Sequence, residues 1–454
     1  MSRYRWSTLV VSVLTAGSLS AGYAGAVGAS ASADKDPTSD LWLYDGVIPD
    51  EMVIRTISEE SMSSTSESDA LTRAAFGFDA STETIRALYS QAVGLPVARV
   101  RWLGAPLTVS EYGELQLRSG IIVAADEIES KLAADPLFVG AFLDHRSNGR
   151  LVVQHLPGFK VDVVDVILDR YSSIKDRLEF RSVPNSRAAL EKVHSAFSKR
   201  AASNADGVVS SAIDVIDNVV EVEFDGAHAD RAESVTREYG GLVRASSGAG
   251  ITPAAIPGGS AIGSSNSSLV CTVAFSAKSN PLYPPSRRGR LTAAHCFQPM
   301  PTMNIWYGGF TALGTLASGD EHESGSTDSA FIQTNVSELT TTNGWVTTTT
   351  RAFLSEDKVG VVVCWWGKTT GAQQCGTVRK RNFVWGSLTN VRQYDGVKVQ
   401  SGDSGGPVYS PYQQPGLAAG EAIGIVLGFN ATHSFYTHVK YALDAEGLDI
   451  YNGT

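Results

Sequence analysis

Between Arg244 and Lys278 the chain carries no charged side chain, and residues 245–268 (ASSGAGITPAAIPGGSAIGSSNSS) are almost entirely Gly, Ser, Ala and Pro. A stretch of this kind cannot supply a core, and exposed stretches like it are preferred places for proteolytic nicking. It divides the 454 residues into two units of ordinary domain size. The two sides differ in kind. Of the 47 acidic and 37 basic residues, those from Ile251 onward hold 13 of each, so the net charge of −10 lies wholly upstream. All four cysteines, Cys271, Cys296, Cys364 and Cys375, lie downstream. The acidic balance argues against a general nucleic-acid binder, which needs a basic face. With 43% hydrophobic and 19% charged residues, disordered, collagen-like and coiled-coil chains are excluded.

The first residues set the compartment. Arg3 and Arg5 form a short basic region, an apolar stretch begins near Leu9, and small-residue cleavage options such as Ala24-Gly25-Ala26 and Ala31-Ser32-Ala33 follow. This is the layout of a secretory signal peptide, assigned to residues 1–33. The stretch is diluted by Gly and Ser and falls short of a membrane span. A secreted, extracellular protein is expected, with no membrane association after signal removal. In that compartment an even cysteine count favours disulfides. The absence of any C-x-x-C argues against zinc.

Residues 34–75 are polar, with SEESMSSTSES carrying little to bury, and read as a flexible lead-in. Residues 76–244 alternate helical and strand patterns. Thr108 and Glu111 fit a capping box. FVGAFLDH (138–145) and GRLVVQHL (149–156) read as strands around an Asn148-Gly149 turn. LEFRSV, a helical run over 186–200, and VVEVEF complete a small α/β unit with no internal repeat found. From Leu269 the texture becomes short strands with Gly-rich turns, which predicts an all-β sandwich or barrel. Residues 439–450 read as the one helix there.

The chemistry-bearing residues are also downstream. In SGDSGGPVY (401–409) a serine lies among glycines, where a tight turn can aim backbone N–H groups at one spot and hold an oxyanion. A serine needs an adjacent base to attack a carbonyl. His295, in LTAAHCF, is the candidate, and a histidine in that role needs a carboxylate to fix its tautomer. Asp328, before the apolar residues Ala330, Phe331 and Ile332, is preferred over Asp320. Singly, a serine in a Gly-rich turn is usually only a turn, and a lone histidine usually a surface or satisfied core residue. The ordered occurrence of TAAHC, an aspartate and GDSGGP is far harder to reach by chance.

These residues carry a resemblance to secreted serine peptidases of the chymotrypsin clan, in the bacterial alpha-lytic protease and streptogrisin branch. It covers the C-terminal ~200 residues. TAAHC and GDSGGP match, IPGGSAIGSSNSSLVCTVAFS (256–276) is similar to that branch's mature N-terminus and first strand, VCWWGKTTGAQQCGTV (363–378) to its disulfide loop, and SFYTHVKYALDAEGL (434–448) to its final strand and helix. The resemblance implies an all-β catalytic domain of two antiparallel β-barrels over residues 269–454, with a catalytic cleft between them. It implies the bridges Cys271–Cys296 and Cys364–Cys375, a pairing that spacing alone does not choose. LTVSEYGELQLR, FVGAFLDH and GRLVVQHL more weakly resemble pro-regions of such peptidases. Those assist folding and block the cleft until removed, as suits a barrel rich in non-local contacts. The rival is an independent binding domain.

The chain also departs from the branch. The serine expected in the strand after the nucleophile appears as Leu427, and the glycine that leaves the specificity pocket open appears as Phe429. The arginine that pairs with the aspartate before the nucleophile appears as Trp365, leaving the partner of Asp403 open. At least one of Trp365 and Trp366 is expected to pack in the barrel, since neighbours on a strand face opposite ways. His433 and His438 are read as surface histidines. The pocket floor falls at Lys398, so the substrate-pocket set is Lys398, Leu427 and Phe429.

The expectation is a secreted serine endopeptidase precursor acting on a peptide or protein substrate. Its triad is His295, Asp328 and Ser404, its oxyanion hole the N–H groups of Gly402 and Ser404. It needs no cofactor and no metal, has its own pro-region as intramolecular inhibitor and foldase, does not bind nucleic acid, and is a monomer. Activation cleavage is expected within 245–268. Two alternatives stand beside it: a non-catalytic binding or adhesion module on a peptidase fold, and a narrow-specificity esterase-like hydrolase.

Overall fold

The structure is a computed structural model. It describes residues 40–43, 56–58, 62–101, 103–161, 164, 174–203, 205–248, 252–253, 261–264, 270–279, 287–297, 303–307, 311–334, 352, 358–367, 369–370, 372–411 and 421–451. The signal-peptide assignment and most of the lead-in and junction lie outside these residues.

The upstream unit opens with helices α1 (Met62–Ala75), α2 (Thr82–Gln91), α3 (Val97–Val100) and α4 (Val109–Leu132). Helix α1 occupies the end of the stretch that reads as a flexible lead-in. It is fixed by polar anchors, which is why its sequence looks unburiable. Asp69, fully buried, accepts from the Tyr89 hydroxyl at 2.7 Å and from Arg101 Nε at 2.8 Å. Arg73 donates to Glu111 Oε1 at 2.5 Å and to the Pro106 carbonyl at 2.7 Å. Helix α4 starts at the capping box: Thr108 Oγ1 accepts from the Glu111 N–H at 3.1 Å, and Glu111 Oε2 accepts from the Thr108 N–H at 2.8 Å.

Strands β1 (Phe138–Asp144), β2 (Arg150–His155) and β3 (Leu178–Ser182) form one sheet, with β1–β2 antiparallel and β2–β3 parallel. After helix α5 (Arg187–Ala202), capped by Ser186, the plan recurs in β4 (Val208–Asp214), β5 (Val219–Phe224), helix α6 (Ala229–Tyr239) and β6 (Val243–Ser247). The two hairpin turns share one chemistry. Asp144 Oδ1 accepts from the N–H groups two and three residues on, as does Asp214 Oδ1, and Asn148 and Asn218 take φ of 65° and 55°. Asparagine tolerates that left-handed conformation. This repeat is absent from the sequence reading because two turn residues and a strand pattern are too little to register as similarity.

Downstream come β7 (Thr252–Pro253), β8 (Ala261–Ser264), β9 (Val270–Thr272), β10 (Ser276–Ser279), β11 (Arg288–Thr292), β12 (Met303–Tyr307), β13 (Thr311–Ser324) and β14 (Thr327–Gln333). They are followed by β15 (Val362–Trp366), β16 (Gln373–Trp385), β17 (Leu388–Gly396), β18 (Pro407–Tyr409), β19 (Ala422–Phe429), β20 (Ser434–His438), helix α7 (Val439–Glu446) and β21 (Leu448–Ile450). The all-β unit preceded by an α/β unit is therefore present. Its first half is an antiparallel sheet in the order β21-β10-β11-β14-β13-β12-β8-β9. Its second half is a six-stranded ring, β15-β18-β19-β20-β17-β16, closed by pairing of β15 with β16. Helix α7 ends earlier than its sequence pattern suggests, because Gly447 turns left-handed (φ 63°) and releases Leu448 to Ile450 to pair with β10.

The α/β unit is continuous with the second barrel. Strand β4 pairs with β16 through Val384–Ser211 and Trp385–Ser210, so the ring's sheet runs on into β4-β5-β6. Ile121 and Ile128 of α4 and Phe138 of β1 share one apolar cluster with Val363, Trp365, Val408 and Tyr436. A separate core of Phe275, Leu291, Phe331, Ile425 and Leu443 fills the first half.

Candidate active site

Three elements converge where the two halves meet. The short turn after β11 carries His295, β14 carries Asp328, and the turn before β18 carries Ser404. Asp328 is nearly fully buried. Its Oδ1 accepts from the backbone N–H groups of Ala294 and His295 at 2.9 and 3.0 Å, and its Oδ2 lies 2.5 Å from His295 Nδ1. That contact orients the ring and leaves Nε2 to face Ser404 Oγ at 2.9 Å. Ser404 Oγ also lies 3.0 Å from the Leu427 carbonyl oxygen, to which it can donate. Burial alone would lower the His295 pKa, but the charge and hydrogen bond of Asp328, joined by the charge of Glu323, raise it above the ordinary histidine value. Glu323 faces Asp328 across the β13–β14 pair, and burial together with that neighbour's charge pushes its own carboxyl up.

The turn that carries Ser404 is shaped by its glycines. Gly402 has φ 107° and Gly405 φ 80°. A Cβ at Gly405 would meet the Thr272 carbonyl oxygen and Thr292 Oγ1 at 2.3 Å, and one at Gly406 the Trp366 carbonyl oxygen at 2.6 Å. No bulkier residue fits either place, so the pattern GDSGG is a steric requirement here. The Gly402 carbonyl points away, accepting from Thr272 Oγ1 at 3.1 Å. Among the described residues no acceptor is bonded to the Gly402 or Ser404 N–H, the two amides expected to form the oxyanion hole.

The two disulfides join Cys271 to Cys296 and Cys364 to Cys375, the pairing that the resemblance implies, and no cysteine is free among the described residues. Each bridge begins beside a site residue. Cys296 follows His295 and Cys271 precedes Thr272, while the second bridge closes the loop that covers Asp403. His295 with Cys271 and Cys296 makes a cluster of potential metal ligands, but both sulfurs are spent in the disulfide.

The pocket residues fall differently. Leu427 is buried against Phe383, Leu388, Val391 and Phe435, so its backbone, not its side chain, meets Ser404. Phe429, at the end of β19, packs against the cluster that includes Val399, Val426 and Tyr436. Lys398 is exposed, and its Nζ donates to the Ala431 carbonyl at 2.8 Å, so it forms no enclosed floor. Trp365 is fully buried in the second barrel. His438, read as a surface residue, is instead buried and caps α7 by accepting the Lys440 N–H at 3.1 Å; only a position at a helix start would have hinted at it. His433 lies 3.3 Å from Asp395. Thr272 and Thr370 lie inside stretches quoted for the resemblance but carry no charge or nucleophile to single them out, and Glu323 lies in no motif.

No family model matches the chain, and no curated protein sequence does. Solved structures do resemble it. One is described as a glutamic acid specific serine protease that utilizes a novel histidine triad in substrate binding. It has 22% identity and a TM-score of 0.32, and the match covers 43% of this chain and 100% of that one. A second, an alpha-lytic protease homolog, has 21% identity and a TM-score of 0.33 over 43% and 99%. A third, the serine endoprotease from Yersinia pestis, has 17% identity and a TM-score of 0.24 over 38% and 60%.

Proposed function

We propose that the chain is the precursor of a secreted serine endopeptidase that hydrolyses peptide bonds through an acyl-enzyme on Ser404. The observation that carries this reading is the 2.9 Å approach of His295 Nε2 to Ser404 Oγ, with His295 Nδ1 set against Asp328. In the reaction Ser404 Oγ attacks the scissile carbonyl while His295 takes its proton. Asp328 stabilises the imidazolium that forms. The N–H groups of Gly402 and Ser404 hold the developing oxyanion. His295 then gives the proton to the leaving amine, and water, deprotonated by the same ring, hydrolyses the acyl-enzyme.

The upstream unit is read as a pro-region that blocks the cleft and templates the second barrel. Three features support this: its shared apolar cluster with the ring, the β4–β16 pairing, and β7. Thr252 and Pro253 pair antiparallel with Phe429 and Gly428 on the edge beside the nucleophile, where a substrate strand would lie. Cleavage within 245–268 would free that edge. The N-terminal layout and the two disulfides support secretion. Among the described residues no helix is long and apolar enough to cross a membrane.

A fluorophosphonate probe tests the reading. Covalent labelling at Ser404, absent in Ser404→Ala, is expected. No labelling of the processed protein would favour the binding-module alternative.

A further inference from the structure

Asp403, beside the nucleophile, is fully buried, and no Lys, Arg or His pairs with it among the described residues. A buried carboxylate without a counter-ion is costly unless its oxygens are fully hydrogen-bonded. Here four donors do this. Oδ1 accepts from the backbone N–H groups of Thr369 and Thr370 at 3.1 and 3.3 Å. Oδ2 accepts from Thr370 Oγ1 at 2.5 Å and from the Gln400 N–H at 2.8 Å. Gln400 belongs to the carboxylate's own turn, so three of the four donors come from one outside source, the loop between β15 and β16.

That loop is built for close approach. Its ends are joined by the Cys364–Cys375 bridge. Thr369 Oγ1 donates to the Ser401 carbonyl at 3.0 Å, tying it to the nucleophile turn a second time. A Cβ at Gly367 would meet Asp403 Oδ1 at 2.1 Å. Burial pushes the Asp403 carboxyl up, and the Thr370 hydroxyl is the foremost of the bonds that pull it back.

Asp403 lies between Gly402 and Ser404, the two residues whose N–H groups are assigned to the oxyanion. We propose that Thr370 is a positioning residue for the oxyanion hole: its hydroxyl, on a loop fixed by Cys364–Cys375, holds the Asp403 carboxylate and so aims the Gly402 and Ser404 N–H groups. This rests on Ser404 being the nucleophile. Because the amides act on the transition state, loss of aim is read in kcat more than in KM.

The test uses protein expressed from the full chain and processed, with a peptide ester substrate. Fluorophosphonate labelling of the unaltered protein comes first; its absence would undo the nucleophile assignment itself, separately from the role of Thr370. Thr370→Val is expected to lower kcat about 10- to 100-fold with KM changed less than about threefold. Thr370→Ser, which keeps the hydroxyl, is expected to restore kcat to within about threefold. The pair Cys364→Ala with Cys375→Ala, which frees the loop and leaves Thr370 in place, is expected to lower kcat in the same selective way. The proposal is overturned if Thr370→Val keeps kcat within twofold, or if Thr370→Ser is as impaired as Thr370→Val. Should Thr370→Val fail to fold, full kcat in the double alanine variant overturns it instead.

Discussion

The backbone N–H of Thr272 donates to the carbonyl oxygen of Ser404 at 2.7 Å. Its hydroxyl donates to the Gly402 carbonyl, and its own carbonyl accepts from Thr292 Oγ1 at 2.5 Å. One residue of the first half thus clamps the turn that the second half contributes. Because Cys271 is bridged to Cys296, the strand holding Thr272 is fastened to the turn holding His295. Thr272→Val keeps the N–H bond and the shape but strips the Gly402 carbonyl of its donor. A stability loss of about 1–2 kcal/mol is expected. It should be seen as a lowered midpoint in denaturant titration, with kcat/KM down about tenfold.

His295 and Ser404 should behave as one unit. Ser404→Ala and His295→Ala are each expected to lower kcat by about 10⁴-fold or more, and the double variant to be little worse than either alone. Asp328→Asn should also cost heavily, since the amide would hold His295 in the wrong tautomer. Steady-state kinetics of the four variants checks this. Additive losses in Ser404→Ala and His295→Ala would contradict a shared proton transfer.

The acid side of the pH profile follows from the neighbours of His295. The ring must be neutral to accept a proton, and its pKa is raised above 6.5. Activity should therefore fall away above that value as pH decreases. Glu323 contributes to the raised value, so Glu323→Gln should move the acid limb of kcat/KM to lower pH. A limb unmoved by this substitution would mean that the Glu323 charge does not reach the ring.

The motif residues were legible because acyl transfer demands a serine, a histidine and a carboxylate, and because no side chain beyond hydrogen fits at Gly405 or Gly406. The all-β texture from Leu269 onward was legible as short strands between Gly-rich turns. What escaped was whatever depends on distant backbone. Three of the four donors to Asp403 are two amides and a hydroxyl on a loop 33 to 34 residues earlier in sequence, themselves uncharged. Helix α1 is held by Asp69 and Arg73, which read as solvent residues until Arg101 and Glu111 are brought to them. Buried polar pairing of this kind leaves no apolar period to follow.

The seam between the α/β unit and the second barrel is rich in charge, and its pH response can be signed. Asp214 is fully buried and lies 3.2 Å from Arg379 and 3.3 Å from Lys380, which also pairs with Glu221. Burial would raise both carboxyl pKa values, but Lys380, with Arg379 at Asp214, brings each below its ordinary value. Their stabilisation is present above the unperturbed carboxylate values and is lost as pH falls through the lowered ones. His145 adds to this. Its ring lies 2.8 Å from the Gly360 carbonyl across the seam, and burial holds its pKa down to about 4. Once freed, it would take a proton from about pH 6.5 downward, so the contact should weaken progressively over that interval. After cleavage in 245–268, the two fragments should co-elute on gel filtration at neutral pH and separate below about pH 4. Co-elution throughout would contradict the assignment of these groups to the seam.

Specificity is expected to follow Phe429 and not Lys398. A pocket for Lys or Arg needs a carboxylate at its floor to pair the buried charge. The sequence offers no acid between Asp395 and Asp403, and the exposed Lys398 bonds the Ala431 carbonyl. Phe429 packs against the cluster that includes Val399, Val426 and Tyr436, and its ring is expected to limit the side chain accepted there. Small apolar residues such as Ala or Val should therefore be preferred before the cut bond. The chain carries a candidate substrate of this kind. Thr252 and Pro253 pair opposite Phe429 and Gly428, and Leu427, one residue further toward the nucleophile, bonds Ser404 Oγ. Counting one residue on from Pro253 gives Ala254, followed by Ala255. Self-processing should then cut after Ala254, and N-terminal sequencing of the processed protein should begin at Ala255. Profiling with a peptide library tests the pocket directly: Phe429→Gly should admit Phe and Tyr that the unaltered protein rejects. Strong cutting after Arg or Lys by the unaltered protein would refute the charge argument, and strong cutting after Phe or Tyr would refute the role given to Phe429.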